Sequence, residues 1–209
     1  FKRSPPLISP NKELDELSNF WDTSKVIEPS NRTTSPGYKL YLLLTGLTLM
    51  AVKFEYILLP EISNNSDFND IDAIILPGVG AFDAAMQVLN NSGMAKSLIR
   101  ANLNKTPIFG ICLGMQLLCE NTEEGDVDGL GIIKCNVIKF SDKLKVPQMG
   151  WNKVKKLRTR LFNKINEGDY MYLVHSYFVP TINETIGQSD YGLTYSVAVQ
   201  KENFFGVQF

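Results

Sequence analysis

The sequence holds a single histidine, His175, so any chemistry that needs an imidazole has one candidate within these 209 residues. Cysteine is scarce as well. Cys112, Cys119 and Cys135 show no metal-ligand spacing, and no metal or other cofactor is expected. Their odd count, with no signal-peptide pattern at the start, points to a reducing cytoplasm rather than a disulfide-bonded secreted state. Neither sign of charge dominates: 21 Lys and Arg face 22 Asp and Glu, for a net charge of −1. That balance gives no basic excess for nucleic acid, and no acidic tail is present. Long apolar runs are also missing. Tyr38 to Leu59 is rich in Leu, but Lys39, Lys53 and Glu55 interrupt it. The unbroken part, Leu40 to Val52, is shorter than the roughly 18–20 residues of a spanning helix. It reads as buried strand and helix, not as a membrane anchor.

What remains has the size of one α/β domain with a short extension. Residues 1–37 carry scattered Pro, Ser, Asn and charge, and only Glu13 to Trp21 has helical spacing. This segment is expected to be a poorly ordered or loosely docked extension, with residues 38–209 as the folded domain. From Lys39 the pattern alternates. Lys39–Leu44, Tyr56–Leu59, Asp72–Leu76 and Ile108–Ile111 read as strands, and Thr45–Phe54, Phe82–Asn90 and Ala95–Leu103 as helices. That alternation predicts an α/β fold, a doubly wound, mostly parallel sheet flanked by helices. Beyond Gly129, the runs Ile132–Phe140, Val154–Lys156, Tyr170–His175, Tyr195–Gln200 and Phe204–Phe209 are expected to add antiparallel strands to the same sheet.

The chemistry centres on Gly110-Ile-Cys-Leu-Gly114, where an apolar strand pattern gives way to a helical one through Leu118. Gly-x-Cys-x-Gly is the thiol version of the nucleophile elbow, a sharp strand-to-helix turn that small flanking residues permit. Cys112 is then the candidate nucleophile. The start of the following helix is expected to favour its thiolate, and the Leu113 N–H to serve as an oxyanion donor. A buried cysteine between two incidental glycines fits the spacing too. Cys119, seven residues on, is expected in the same helix as a core residue, and Cys135 in a strand. Gln116 stands one helical turn after Cys112, on the same face. Upstream, Pro77-Gly-Val-Gly80 follows a strand. Its glycines allow an unusual backbone orientation beside a ligand, or simply an ordinary strand-to-helix turn.

In order and spacing, Ile71-Asp-Ala-Ile-Ile-Leu-Pro-Gly-Val-Gly-Ala-Phe82, Pro107-Ile-Phe-Gly-Ile-Cys-Leu-Gly-Met-Gln116, Pro147-Gln-Met-Gly-Trp-Asn152, Tyr172-Leu-Val-His-Ser-Tyr177 and Phe205-Gly-Val-Gln-Phe209 resemble the class I (triad-type) glutamine amidotransferases. Among these they are most similar to the glutaminase subunits of imidazole glycerol phosphate synthases. The similarity runs from about Ile71 to Phe209.

The resemblance implies hydrolysis of glutamine through a thioester on Cys112. Val79, Gly80 and Leu113 would form the oxyanion hole, with a peptide flip aiming the Val79 N–H at the developing charge. Gly78, Gln116, Glu124, Ser176 and Tyr177 would bind glutamine, Glu124 through its ammonium and Ser176 and Tyr177 through backbone groups at its carboxylate. Met149, Trp151 and Asn152 would face a (β/α)8 cyclase subunit, forming a heterodimer that takes up the ammonia for histidine biosynthesis. Gln148 stands where relatives often have His, and Leu43-Leu-Thr-Gly-Leu-Thr48 lacks the family's first-loop residues. The family's base and its carboxylate belong to a His-Pro-Glu that continues Gly206-Val-Gln-Phe209. His175 is therefore expected to be structural or substrate-adjacent, and the 209 residues alone to be catalytically crippled. Three rivals carry distinct expectations: a paralogue supplying ammonia to another synthase such as a surface-sugar amidation enzyme, a non-catalytic scaffold, and a thiol hydrolase pairing Cys112 with His175.

Overall fold

The computed structural model describes residues 40–42 and 73–209. The amino-terminal extension with its Glu13–Trp21 helix, the Thr45–Phe54 helix, the Tyr56–Leu59 strand and the altered first loop lie outside the described residues. In chain order the elements are β1 (Leu40–Leu42), β2 (Ala73–Gly78), α1 (Phe82–Asn91), α2 (Met94–Leu103), β3 (Ile108–Cys112), α3 (Leu113–Leu117) and β4 (Cys119–Thr122). They continue as β5 (Ile133–Lys139), β6 (Gln148–Lys153), β7 (Tyr170–His175), β8 (Tyr177–Phe178), β9 (Thr185–Asp190), β10 (Thr194–Lys201) and β11 (Phe204–Val207).

The central sheet has the order β1-β2-β3-β11-β10-β9. Its first four strands run parallel, and β10 and β9 add to it antiparallel. Alternation along β3 and β11 divides the sheet's two faces. Ile108 and Phe204 join Ile74 and Leu76 in a core with Phe82, Met86, Leu89, Leu98 and Met115. Phe109, Ile111, Phe205 and Val207 pack on a separate cluster with Phe162 and Ile186. Helices α1 and α2 fit the first core because Phe82, Ala85, Met86 and Leu89, then Met94, Ala95, Leu98 and Ala101, recur at helical spacing. Gly93, at φ 76°, makes the sharp break between them.

The carboxyl-terminal half departs from the expectation of one extended sheet. β5 pairs with β4 in parallel and with β8 antiparallel in a separate three-stranded sheet. β6 and β7 form a two-stranded ribbon of their own. Val154–Lys156 is no strand: only Lys155 makes a single bridge, to Gln188. β4, β6 and β9 were not legible as strands because polar residues and Gly interrupt their apolar periods. Cys119 opens β4 rather than continuing a helix, since α3 stops after one turn and a half. It is fully buried, as is nearly all of Cys135 on the adjacent strand, and the Cys119 thiol donates to the Met115 carbonyl at 3.7 Å.

Candidate active site

The turn from β3 into α3 carries its strain on the cysteine. Cys112 has φ 56° and ψ −114°, a conformation that side chains with a β-carbon rarely adopt. The two flanking glycines are required for a different reason, close approach. A β-carbon on Gly110 would lie 2.7 Å from the Gly114 carbonyl oxygen, and one on Gly114 would lie 1.7 Å from the Leu76 oxygen. The start of α3 is thus wedged against both β2 and β3, which leaves Cys112 at the carboxyl edge of the sheet. Edges of this kind are where α/β folds bind ligands.

Gly78 stands in register opposite Cys112 across the β2–β3 pair. A β-carbon on Gly78 would come 2.9 Å from Leu113 Cβ, so it too must be glycine. Val79 and Gly80 follow immediately, beyond the strand; Val79 is 52% exposed and Gly80 has φ 101°. The segment is therefore backbone-rich and open next to the sulfur. The first N–H of α1, that of Phe82, is held by Glu124 Oε2 at 3.1 Å. Burial raises the Glu124 pKa, and the Phe82 N–H opposes that rise. Glu124 thus caps the helix behind the glycine segment with one of its oxygens.

Two donors reach the sulfur of Cys112. The Leu113 N–H points at it, and Gln208 Nε2 lies 3.5 Å away. Both favour thiolate, but burial outweighs them and raises the Cys112 pKa. The helix start thus favours the thiolate through the Leu113 N–H, as expected, but desolvation of the sulfur is the larger effect.

Gln116 does not touch Cys112 itself. Its Nε2 donates to the Tyr177 carbonyl at 3.2 Å and to Gln208 Oε1 at 3.0 Å. The same Tyr177 carbonyl accepts from His175 Nδ1 at 2.8 Å, while the Ser176 carbonyl accepts from the Phe140 N–H. These carbonyls are thus already engaged within the fold, and only N–H groups at Ser176 and Tyr177 could take a carboxylate.

His175 is buried, with its second nitrogen 3.2 Å from the Tyr195 hydroxyl oxygen, whose single hydrogen is donated to Gln148 Oε1 at 2.9 Å. Desolvation lowers the His175 pKa to about 4, so its ring is neutral near pH 7. Phe140 packs on it with ring centroids 5.2 Å apart. Both ring nitrogens are occupied away from Cys112, so the pairing of Cys112 with His175 as base has no support here.

On the β6–β7 ribbon, alternation turns Met149, Trp151, Tyr170, Tyr172 and Val174 outward together. Trp151 is 68% exposed and meets the Tyr172 ring at 5.5 Å. Asn152 falls on the other side, where its amide donates to the Asp190 carbonyl, so it does not share the apolar face. Inward-facing Gln148 is paired in register with His175. The residues that sequence reasoning missed are Gln208, Tyr195 and the inner role of Gln148. For Gln208 a signal was available: it is a polar residue just past a fully apolar strand, at the sheet edge that holds Cys112.

The family profile described as glutamine amidotransferase class-I matches residues 40–209. The imidazole glycerol phosphate synthase subunit HisH of Sulfurimonas denitrificans is 44% identical over 149 residues, spanning 68% of this chain and 72% of that protein. The HisH subunit of Methanocaldococcus jannaschii is also 44% identical, over 71% of this chain and 76% of its own length. Among solved structures, a glutamine amidotransferase matches with a TM-score of 0.57 at 14% identity, covering 73% of this chain and 77% of that one. The glutaminase domain of a Trypanosoma brucei CTPS with bound acivicin matches with a TM-score of 0.50 at 16% identity, covering 83% and 85%. These structural likenesses speak to the fold alone; the sequence relatives speak to the family. The chain belongs to the class I glutamine amidotransferases and, within them, to the relatives of the imidazole glycerol phosphate synthase subunit HisH.

Proposed function

We propose that this chain is the glutaminase subunit of an imidazole glycerol phosphate synthase, forming ammonia from glutamine for a cyclase partner in histidine biosynthesis. The observation that carries the reading is the strained Cys112, held at the sheet edge between an open Val79-Gly80 backbone and the Leu113 N–H. Cys112 Sγ attacks the side-chain amide carbon of glutamine, and the carbonyl oxygen becomes the oxyanion. N–H groups of Val79 or Gly80 and of Leu113 are the groups available to receive it. The C–N bond breaks, ammonia leaves with a proton from the base, and water hydrolyses the thioester to glutamate and free thiol.

Gln116 Oε1 and the second Glu124 oxygen are the acceptors proposed for the glutamine ammonium, and the N–H groups of Ser176 and Tyr177 the donors for its carboxylate. Gly78, in register with Cys112, would meet glutamine through its backbone, while Leu113 fills the place its side chain would take. The family's base stands in the His-Pro-Glu that continues Gly206-Val-Gln-Phe209. β11 runs parallel to β3 and brings Gln208 to the sulfur, so a continuation of that strand passes the nucleophile.

Met149, Trp151 and Tyr172 are the proposed face for the cyclase, since exposed aromatics clustered on a rigid ribbon are typical anchors of an interface. Asn152 would support that face from behind. The test is glutamate release from glutamine by the gene product together with its cyclase partner. Release that stops on Cys112→Ala supports the reading; release that continues at the same rate refutes it.

A further inference from the structure

A chain of amide hydrogen bonds ends on the sulfur, and its direction is fixed by chemistry. The Tyr177 carbonyl can only accept, so the Gln116 atom 3.2 Å from it must be Nε2. The second hydrogen of that Nε2 meets Gln208 Oε1 at 3.0 Å. With its oxygen committed there, Gln208 can present only its NH2 group to Cys112 Sγ, 3.5 Å away. Both amides are almost completely buried, so water does not compete for these groups. The backbone of Gln208 is also anchored, its N–H donating to the Val197 carbonyl at 2.9 Å. One step earlier, Val207 pairs with Ile111, which sets Gln208 laterally beside Cys112.

We propose that Gln208 is a positioning residue for the nucleophile: its amide, oriented by Gln116 and the Tyr177 carbonyl, donates to Cys112 Sγ and favours the thiolate. A donor that faces only a sulfur gains most when that sulfur is charged, because charge-assisted bonds are the stronger ones. Burial works in the opposite direction on this thiol, so a fixed donor here has an effect to counter. The role goes beyond the glutaminase reading but rests on Cys112 being its nucleophile.

The test is the rate at which iodoacetamide alkylates Cys112 between about pH 6 and 12, followed by peptide mass spectrometry on the 209-residue chain and its variants. Gln208→Leu is expected to move the midpoint of the rate–pH profile up by about one unit, making alkylation about tenfold slower at pH 7.5 and equal to wild type at the alkaline plateau. Gln208→Glu, similar in shape but facing the sulfur with a carboxylate, is expected to move it further in the same direction. Gln116→Glu leaves Gln208 in place but removes the donor that orients it, and the midpoint should rise there too. Midpoints that stay at the wild-type value, a slowing equal at every pH, or a downward move in Gln208→Glu would overturn the role. If Gln208→Leu fails to fold, the two Glu variants decide the matter. Protection of Cys112 by added glutamine is read in the same experiment. Shifted midpoints without protection would remove the glutaminase reading and leave Gln208 its role; protection with unmoved midpoints would do the reverse.

Discussion

Gly114 lies directly against the backbone of Leu76: a β-carbon on it would fall 1.7 Å from the Leu76 carbonyl oxygen and 2.8 Å from the carbonyl carbon. Both partners are main chain, in a buried strand and in the helix that follows the nucleophile, so neither can swing aside. Gly114→Ala is expected to destabilise the fold by at least about 3 kcal/mol, the upper end for overpacking. Chemical denaturation measures it. A loss under about 1 kcal/mol would mean that α3 can lift off β2 freely.

The strain at Cys112 predicts an inverted substitution order. In ordinary backbone Ala is more stable than Gly, but at φ 56° and ψ −114° the β-carbon is the liability. Cys112→Gly should therefore be more stable than Cys112→Ala by about 1–2 kcal/mol. Thermal unfolding of the two variants side by side gives the sign directly.

His175 ties stability to pH. Its folded pKa of about 4 lies below the ordinary value of 6.5, so the unfolded chain binds the extra proton in that window. The contribution is therefore complete above pH 6.5, falls as the pH drops toward 4, and is absent below that. Its size is about 3 kcal/mol. His175→Asn can keep the donor to the Tyr177 carbonyl but does not titrate, and its stability should be flatter between pH 6.5 and 4. Equal slopes for the two proteins would show that the ring does not titrate as its burial requires.

The exposed ribbon face separates binding from folding. Trp151 is mostly in solvent, so Trp151→Ala should change stability by under about 1 kcal/mol. Binding to the cyclase should weaken by about 2 kcal/mol or more, as for a central aromatic anchor. Calorimetric titration of the partner onto both proteins gives that comparison. Unchanged affinity would move the interface elsewhere.

Legibility in the sequence followed physical range. Unbroken apolar runs and helical spacing gave β2, β3, α1 and α2 to within a residue or two, because buried parallel strands and amphipathic helices are written locally. The Gly-x-Cys-x-Gly spacing gave the elbow, yet the reason for its second glycine, the Leu76 carbonyl, lies on another strand. The sequence shows no helix stop after Leu118 and so suggests a helix at Cys119, whereas in the fold pairing with β5 captures the chain as β4. Trp151 and Asn152 are adjacent in a signature but point to opposite sides of a ribbon, and strand alternation separates them only once Gln148–Lys153 is known to be a strand. Gln208 depends on contacts 92 and 96 residues away, to Gln116 and Cys112, and no local pattern encodes those partners.

The most direct measurement of the central claim is to treat the protein with a chloroketone analogue of glutamine and map the adduct by mass spectrometry, with and without excess glutamine. Because Cys112 is the thiol at the sheet edge while Cys119 and Cys135 are buried together, the adduct should form on Cys112 alone and be suppressed by glutamine. An unlabelled Cys112, or labelling that glutamine does not suppress, would contradict the assignment of this site as a glutaminase centre.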